Sequence, residues 1–136
     1  MLRFFRRQFV VLVGLACVLQ FPIARAGVAE EAAPSKPTYL VLGEFTVNMP
    51  GDDSPLGYIV VGITVEAMPA ALGELRDITP RLKEAVMRRL MVLAERGALQ
   101  PGRTDPAALK TALIDSIDRL RPDSVRDVLI TRLIYG

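Results

Sequence analysis

Histidine and tryptophan are absent from the 136-residue sequence, and cysteine occurs once, at Cys17. Histidine is the commonest general base in enzymes, and histidine or cysteine side chains hold most zinc ions. One cysteine cannot form a disulfide within the chain, and no histidine is present to activate a serine or a thiol. The glycine patterns that bind dinucleotides or nucleotide phosphates are also missing. We therefore expect no enzyme activity, no metal, no cofactor and no small-molecule substrate.

Two pairs of carboxylates remain as candidates for metal binding or acid–base chemistry. Asp52 and Asp53 lie in a proline- and glycine-rich segment that lacks the alternating ligands and closing glutamate of a calcium loop. Asp115 and Asp118 are three residues apart in a predicted helix, next to Arg119. We interpret both pairs as solvated charges rather than as sites.

Charge is unevenly distributed along the chain. The first 26 residues contain four of the 17 basic residues and none of the 15 acidic ones, which leaves 13 basic and 15 acidic residues, a net charge of −2, in the remainder. Binding to nucleic acid requires a strongly positive surface. The near-neutral remainder therefore argues against a nucleic-acid partner.

The N-terminal segment combines early arginines with an apolar stretch. We expect residues 1–8 in the cytoplasm, residues 9–26 as a membrane segment, residues 27–38 as a linker and residues 39–136 as a periplasmic domain. The membrane segment includes Phe9, Val13, Cys17 and Phe21. Residues 24–26 read Ala-Arg-Ala, as at a signal-peptidase site, and a membrane span takes about 20 residues. Cleavage and retention as an anchor both remain open.

Three segments have the composition of strands. Residues 39–49 and 58–67 flank a loop at residues 50–57, which predicts an antiparallel hairpin. One face of the second strand is wholly apolar, formed by Ile59, Val61, Ile63 and Val65. Residues 124–135 carry apolar side chains on both faces, so this last strand is either central in the sheet or covered by a neighbouring subunit. If the helices pack antiparallel to each other, it should run antiparallel to the second strand.

The first predicted helix follows an ambiguous segment at residues 68–78, which we interpret as a loop with one helical turn. Thr79 is the predicted N-cap and Pro80 the first helical residue. The helix then runs to about Arg96, and Gly97 is a natural stop.

A second helix is predicted from Asp105-Pro106 to just before Pro122. Its expected buried stripe is formed by Leu109, Leu113, Ile117 and Leu120. The order strand, strand, helix, helix, strand defines an α+β domain with its helices packed on one face of a small sheet.

Four stretches of the domain follow each other in a recognisable order. Residues 39–48 read YLVLGEFTVN, residues 58–66 read YIVVGITVE, residues 78–87 read ITPRLKEAVM and residues 125–131 read VRDVLIT. Together with the single membrane segment and the linker, they cover essentially the whole chain. This pattern resembles the flagellar basal-body-associated FliL family.

The resemblance implies a single-pass protein of the bacterial inner membrane, located at the flagellar basal body, with a periplasmic domain of the stomatin/SPFH fold. It implies homo-oligomeric rings around the flagellar stator complex that influence torque, motility and chemotactic behaviour, without catalysis or a cofactor. We expect contacts at the strand edges and on the helix face near Arg88. The candidate contact residues are Arg88, Arg89, Val128, Ile130 and Arg132. A periplasmic adaptor or binding domain unrelated to flagella is the alternative.

Overall fold

The computed structural model describes residues 36–50 and 57–136. Their elements are β1 (Thr38–Met49), β2 (Gly57–Ala67), a 3₁₀ turn (Pro69–Ala71), α1 (Leu72–Asp77), α2 (Thr79–Glu95), α3 (Pro106–Asp118) and β3 (Val125–Tyr135). This order confirms the predicted α+β class and adds the short helix α1. The predicted cytoplasmic start, membrane segment and most of the linker lie outside the described residues. Within those residues, no helix combines the length and apolarity that a membrane crossing requires.

The three strands form one antiparallel sheet in the order β1-β2-β3. β3 runs antiparallel to β2, as expected, with Val61 paired to Leu133 and Val65 to Val128. Of the two alternatives for the last strand, a central position in the sheet is wrong, because β2 occupies the centre and β3 lies at an edge. The helices cover one face of β3, where Val128 is completely buried, whereas Ile134 on the other face remains 47% exposed.

The core lies between the sheet and the helices. The predicted apolar face of β2 is confirmed, since its four side chains are 0–1% exposed. α2 packs on β1, α3 packs on β3, and the two helices contact each other. The residues of α2 and α3 that are completely buried are Leu82, Val86, Leu90, Leu113 and Ile117. The reverse face of β2, which includes Tyr58 and Thr64, is only partly covered in the described part of the chain.

A β-bulge in β1 keeps its apolar residues on the core side. Val41 pairs with Thr64 and Gly43 with Ile63, so Leu42 is an additional residue on β1. Gly43 has a φ of 107°, which a glycine adopts without steric strain. Leu42 therefore faces the core together with Phe45, Val47 and Met49, although Leu42 and Phe45 are three residues apart.

The ambiguous segment before α2 contains the helix α1. Its residue Leu75 is completely buried and packs α1 against the core. α1 leads almost directly into α2, and only Ile78 lies between them. The prediction of Thr79 as an N-cap is wrong. Ile78 occupies that position, and the Thr79 hydroxyl donates a hydrogen bond back to the carbonyl oxygen of Leu75 at 3.1 Å. Helical backbone on both sides leaves no free helix terminus for Thr79 to cap.

The start of α3 agrees with the prediction, whereas its end does not. Asp105 is the N-cap, and its Oδ1 accepts a hydrogen bond from the backbone N–H of Ala107 at 2.9 Å. Leu109, Leu113 and Ile117 are buried, but Leu120 is 42% exposed. The helix ends at Asp118, so Leu120 no longer follows the helical period that would have directed it inward.

Candidate functional site

A groove on the helical side of the domain brings together side chains of α2 and α3. It has a volume of about 240 Å³ and is referred to below as the arginine groove. Its lining residues are Ala85, Arg88, Arg89, Val92, Ser116, Arg119 and Leu120. The four from α2 follow the spacing i, i+3, i+4, i+7, which places them on one side of that helix. The groove therefore combines apolar walls with three guanidinium groups.

The three arginines of the groove differ in their partners. Arg88 forms an ion pair with Glu84 one turn earlier, and both side chains are largely exposed. Within the described residues, Arg89 and Arg119 form no salt bridge. The Nε atom of Arg89 is buried and has no hydrogen-bond acceptor there. A buried donor without an acceptor is uncommon in a folded protein, because desolvation is then uncompensated.

Asp118, next to Arg119 in sequence, has a related feature. Its Oδ1 atom is also buried without a hydrogen-bond donor in the part of the chain that the structure describes. Asp118 does not line the groove. Asp115, its predicted partner, is exposed, so the two carboxylates do not form a shared buried pair. In the described ranges, no group of three or more acidic or cysteine side chains is arranged to hold a metal ion.

The predicted contact residues on β3 have different environments. Val128 is completely buried and paired with Val65, so it offers no surface to a partner in this fold. Ile130 is partly buried and packs against the core. Arg132 is about half exposed and forms an ion pair of 2.7 Å with Glu44. Of these three residues, Arg132 is therefore the most accessible.

The Arg132–Glu44 ion pair crosses the sheet face that the helices leave uncovered, named here the open sheet face. The most exposed apolar residues of the open sheet face are Tyr39, Val41, Tyr58 and Ile134. Gly62 of the central strand lies between the paired charges. A Cβ atom at Gly62 would lie 2.7 Å from Thr131 Oγ1 and 3.0 Å from Arg132 Cβ. The missing side chain of Gly62 thus permits the close approach of β3.

A second cross-element ion pair joins α3 to β3. Lys110 Nζ donates a hydrogen bond to Asp127 Oδ2 at 2.8 Å, and the two side chains are 35% and 33% exposed. The hydrogen bond from Lys110 lowers the pKa of Asp127 below its ordinary value, and the backbone N–H of Val128 acts in the same direction, while burial opposes both. This pair holds the start of the edge strand against the helix layer.

Two further depressions carry less charge. One of about 230 Å³ lies between β1 and α2 and is lined partly by Met87 and Met91. The other, of about 120 Å³, lies beside the α2–α3 connection near Arg103 and Asp105. Neither contains more than one basic side chain, whereas three line the arginine groove.

Arg88 and Arg89 are the two groove residues that the sequence predicts as contact residues. The helical spacing of Ala85 and Val92 relative to them is also visible in the sequence. The α3 side of the groove had no local signal, because it depends on how two helices pack. Leu120 is predicted in the core because the helix is expected to continue past Asp118, where it ends.

The family model described as "Flagellar basal body-associated protein FliL" matches residues 39–135, which is more than half of the chain. The comparison with curated proteins gives no match. The matched region spans all six helices and strands described above except the first residue of β1. The family is one of flagellar accessory proteins and is not known for enzymes. The chain therefore belongs to the FliL family of flagellar basal body-associated proteins.

Proposed function

We propose that this protein is anchored in the inner membrane, extends its domain into the periplasm and supports the flagellar stator units as a scaffold. The family match over residues 39–135 is the observation that carries this proposal. The arginines before residue 9 and the apolar stretch after them support the orientation. The match also weighs against the alternative of an adaptor unrelated to flagella.

Scaffolding by such a protein requires contacts but no chemistry. A membrane anchor confines the domains to two dimensions and raises their effective concentration, so that individually weak contacts suffice for assembly. We propose that copies assemble into a ring around the stator and so affect torque, motility and chemotactic behaviour. A domain of the stomatin/SPFH fold belongs to the same proposal.

Two surfaces are suited to these contacts. The outer edges of β1 and β3 have no neighbouring strand among the described residues. Unpaired strand edges and exposed apolar side chains such as Val41, 69% exposed, favour association. The arginine groove lies on the helical side of the domain. A subunit with contact surfaces on different sides can meet both a neighbouring copy and a second partner.

The proposal is tested by motility of a deletion strain, complemented by the wild-type gene on a plasmid. We expect reduced swimming speed or reduced spreading in soft agar while flagellar filaments are still assembled. Intact filaments separate a motor defect from an export defect. Normal swimming under viscous load in the deletion strain would contradict the proposed stator role.

Localisation provides an independent test of the anchor. A C-terminal fluorescent fusion that remains active in the periplasm should form spots at flagellar bases. A matched variant whose residues 9–26 are replaced by a cleavable signal peptide should lose these spots if the segment serves as an anchor. Spots of equal intensity in both strains would contradict anchoring by this segment and favour cleavage.

A further inference from the structure

Two of the three arginines in the arginine groove form no salt bridge with any described residue. Arg89 and Arg119 come from different helices, yet both line the same depression and lack salt bridges within the described residues. Two neighbouring guanidinium groups repel each other unless an anion or solvent separates them. Their convergence therefore favours a ligand with negative charge.

The buried Nε atom of Arg89 adds an independent indication of the missing group. Guanidinium groups bind carboxylates through two parallel N–H donors, and Nε is one of the donors used in this geometry. Arg89 is only partly buried as a residue, so its other donors are not all enclosed. An acceptor in the groove would bind the terminal N–H donors of Arg89, and it would reach Nε only if the side chain turned.

The walls of the groove indicate that the ligand is not a simple ion. Val92 and Ala85 contribute apolar surface from α2, and Leu120, 42% exposed, contributes it from the α3 side. The volume of about 240 Å³ leaves room for more than a single small ion. Peptide anchors commonly combine an apolar side chain in a pocket with a charged group at its rim.

We infer that the arginine groove is a docking site for a partner segment that presents a carboxylate beside an apolar side chain. The carboxylate binds Arg89 and Arg119, and the apolar side chain contacts Val92 and Leu120. Arg88 has a smaller role because Glu84 already pairs with it. This inference rests on the proposed function only for where the partner is located. The class of ligand is inferred from the side chains of the groove.

A binding assay with purified full-length protein in uncharged detergent micelles tests the inference. The probe is a fluorescent synthetic peptide of alternating glutamate and leucine, followed by fluorescence anisotropy. We expect Arg89→Gln and Arg119→Gln each to weaken binding about tenfold, as for the loss of one charge-assisted contact. Arg81→Gln is the matched control, because Arg81 is an exposed arginine of α2 outside the groove, and it should leave the affinity unchanged.

Two further probes make the outcome specific. A peptide in which glutamine replaces every glutamate should bind at least about tenfold more weakly, because it lacks the charge that the arginines recognise. Vesicles that contain phosphatidylglycerol should not displace the acidic peptide. Circular dichroism melting curves of all variants verify that they remain folded, and Arg89→Lys retains the charge if Arg89→Gln unfolds.

The inference is overturned by any of four results. The first is that the acidic peptide fails to bind, and the second is that Arg81→Gln weakens binding as much as the groove variants. The third is that the glutamine peptide binds equally well, and the fourth is that the lipid vesicles displace the acidic peptide. The last result would identify a membrane surface as the ligand. The assay needs no flagellum, so a deletion strain with normal motility would contradict the proposed function without affecting the binding result.

Discussion

At the scale of single residues, Gly62 shows how one missing side chain determines the fit between two strands. It lies in the central strand opposite an irregularity of β3, where Thr131 and Arg132 approach closely. This role differs from that of Gly43, which is required by its backbone conformation. The sequence marks both as glycines in strands, but only the structure separates the two reasons.

Gly62→Ala should therefore destabilise the domain. The added methyl group would lie 2.7 Å from Thr131 Oγ1 and 3.0 Å from Arg132 Cβ. Overpacking of this kind lowers the free energy of unfolding by about 1–3 kcal/mol, measured by urea denaturation of the full-length protein.

Gly73→Ala is the matched control, because nothing lies within 4 Å of its added Cβ atom in α1. Replacing glycine by alanine inside a helix should raise stability by about 0.5–1 kcal/mol. Equal effects of the two substitutions would contradict the close approach of β3 at Gly62.

The Lys110–Asp127 pair makes a contribution to stability that depends on pH. The folded state lowers the pKa of Asp127, so this contribution is present above the carboxyl's ordinary value of 3.8 and is lost as the pH falls through the lowered value. Lys110→Met should raise the pKa of Asp127 toward its ordinary value and reduce stability at neutral pH. A carboxyl-carbon NMR titration combined with urea denaturation measures both effects.

Lys83→Met serves as the control for this experiment. Lys83 is exposed on α2 and forms no salt bridge with any described residue. Its substitution should leave the titration of Asp127 unchanged. If the Asp127 titration curve in Lys110→Met coincides with that of the wild type, Lys110 is not the cause of the lowered pKa.

At the scale of elements, the two main helices begin in different ways. α3 has a side-chain cap from Asp105, whereas α2 continues from α1 without one. Asp105→Ala should therefore reduce stability by about 1 kcal/mol through loss of the cap. Thr79→Ala should have a clearly smaller effect, since its hydroxyl only bonds back to Leu75.

Thermal or urea unfolding of these two variants compares the helix starts directly. Asp105→Asn is a suitable additional variant, because asparagine retains the capping oxygen and should preserve most of the stability. A larger loss for Thr79→Ala than for Asp105→Ala would contradict the assignment of the caps.

There is a physical reason why the sequence predicts some of these elements and not others. Period-two and period-3.6 patterns report local geometry, so the strands and the two long helices were predictable. The cap at Thr79 was predicted from the Thr-Pro pair alone, which cannot reveal that a preceding helix, α1, already occupies the position. Strand order and the α3 wall of the groove depend on contacts between distant residues, so no local pattern contains them.

At the scale of the whole molecule, the central position of β2 predicts a gradient of local stability. β2 is hydrogen-bonded to strands on both sides and its core side chains are completely buried, whereas β1 and β3 each have one unpaired edge in the described structure. Amide hydrogens of β2 should exchange with solvent roughly an order of magnitude more slowly, on average, than those of β1 or β3.

Hydrogen–deuterium exchange of the full-length protein in detergent measures this gradient. The amides of the buried residues in α2 and α3 provide an internal reference for slow exchange. Average exchange in β3 as slow as in β2, under conditions where the protein is monomeric, would contradict the edge position of β3.

The pairing of β2 with β3 also has a consequence for biosynthesis. β2 is made early, but its second neighbour is separated from it by all the helices and is made last, with Ile59 finally opposite Tyr135. While the chain is still being synthesised, the β1–β2 hairpin can form, yet one edge of β2, its most apolar strand, has no partner. Synthesis that stalls before β3 emerges would leave an aggregation-prone intermediate, so this fold depends on rapid delivery of β3 or on a chaperone that shields the unpaired edge of β2.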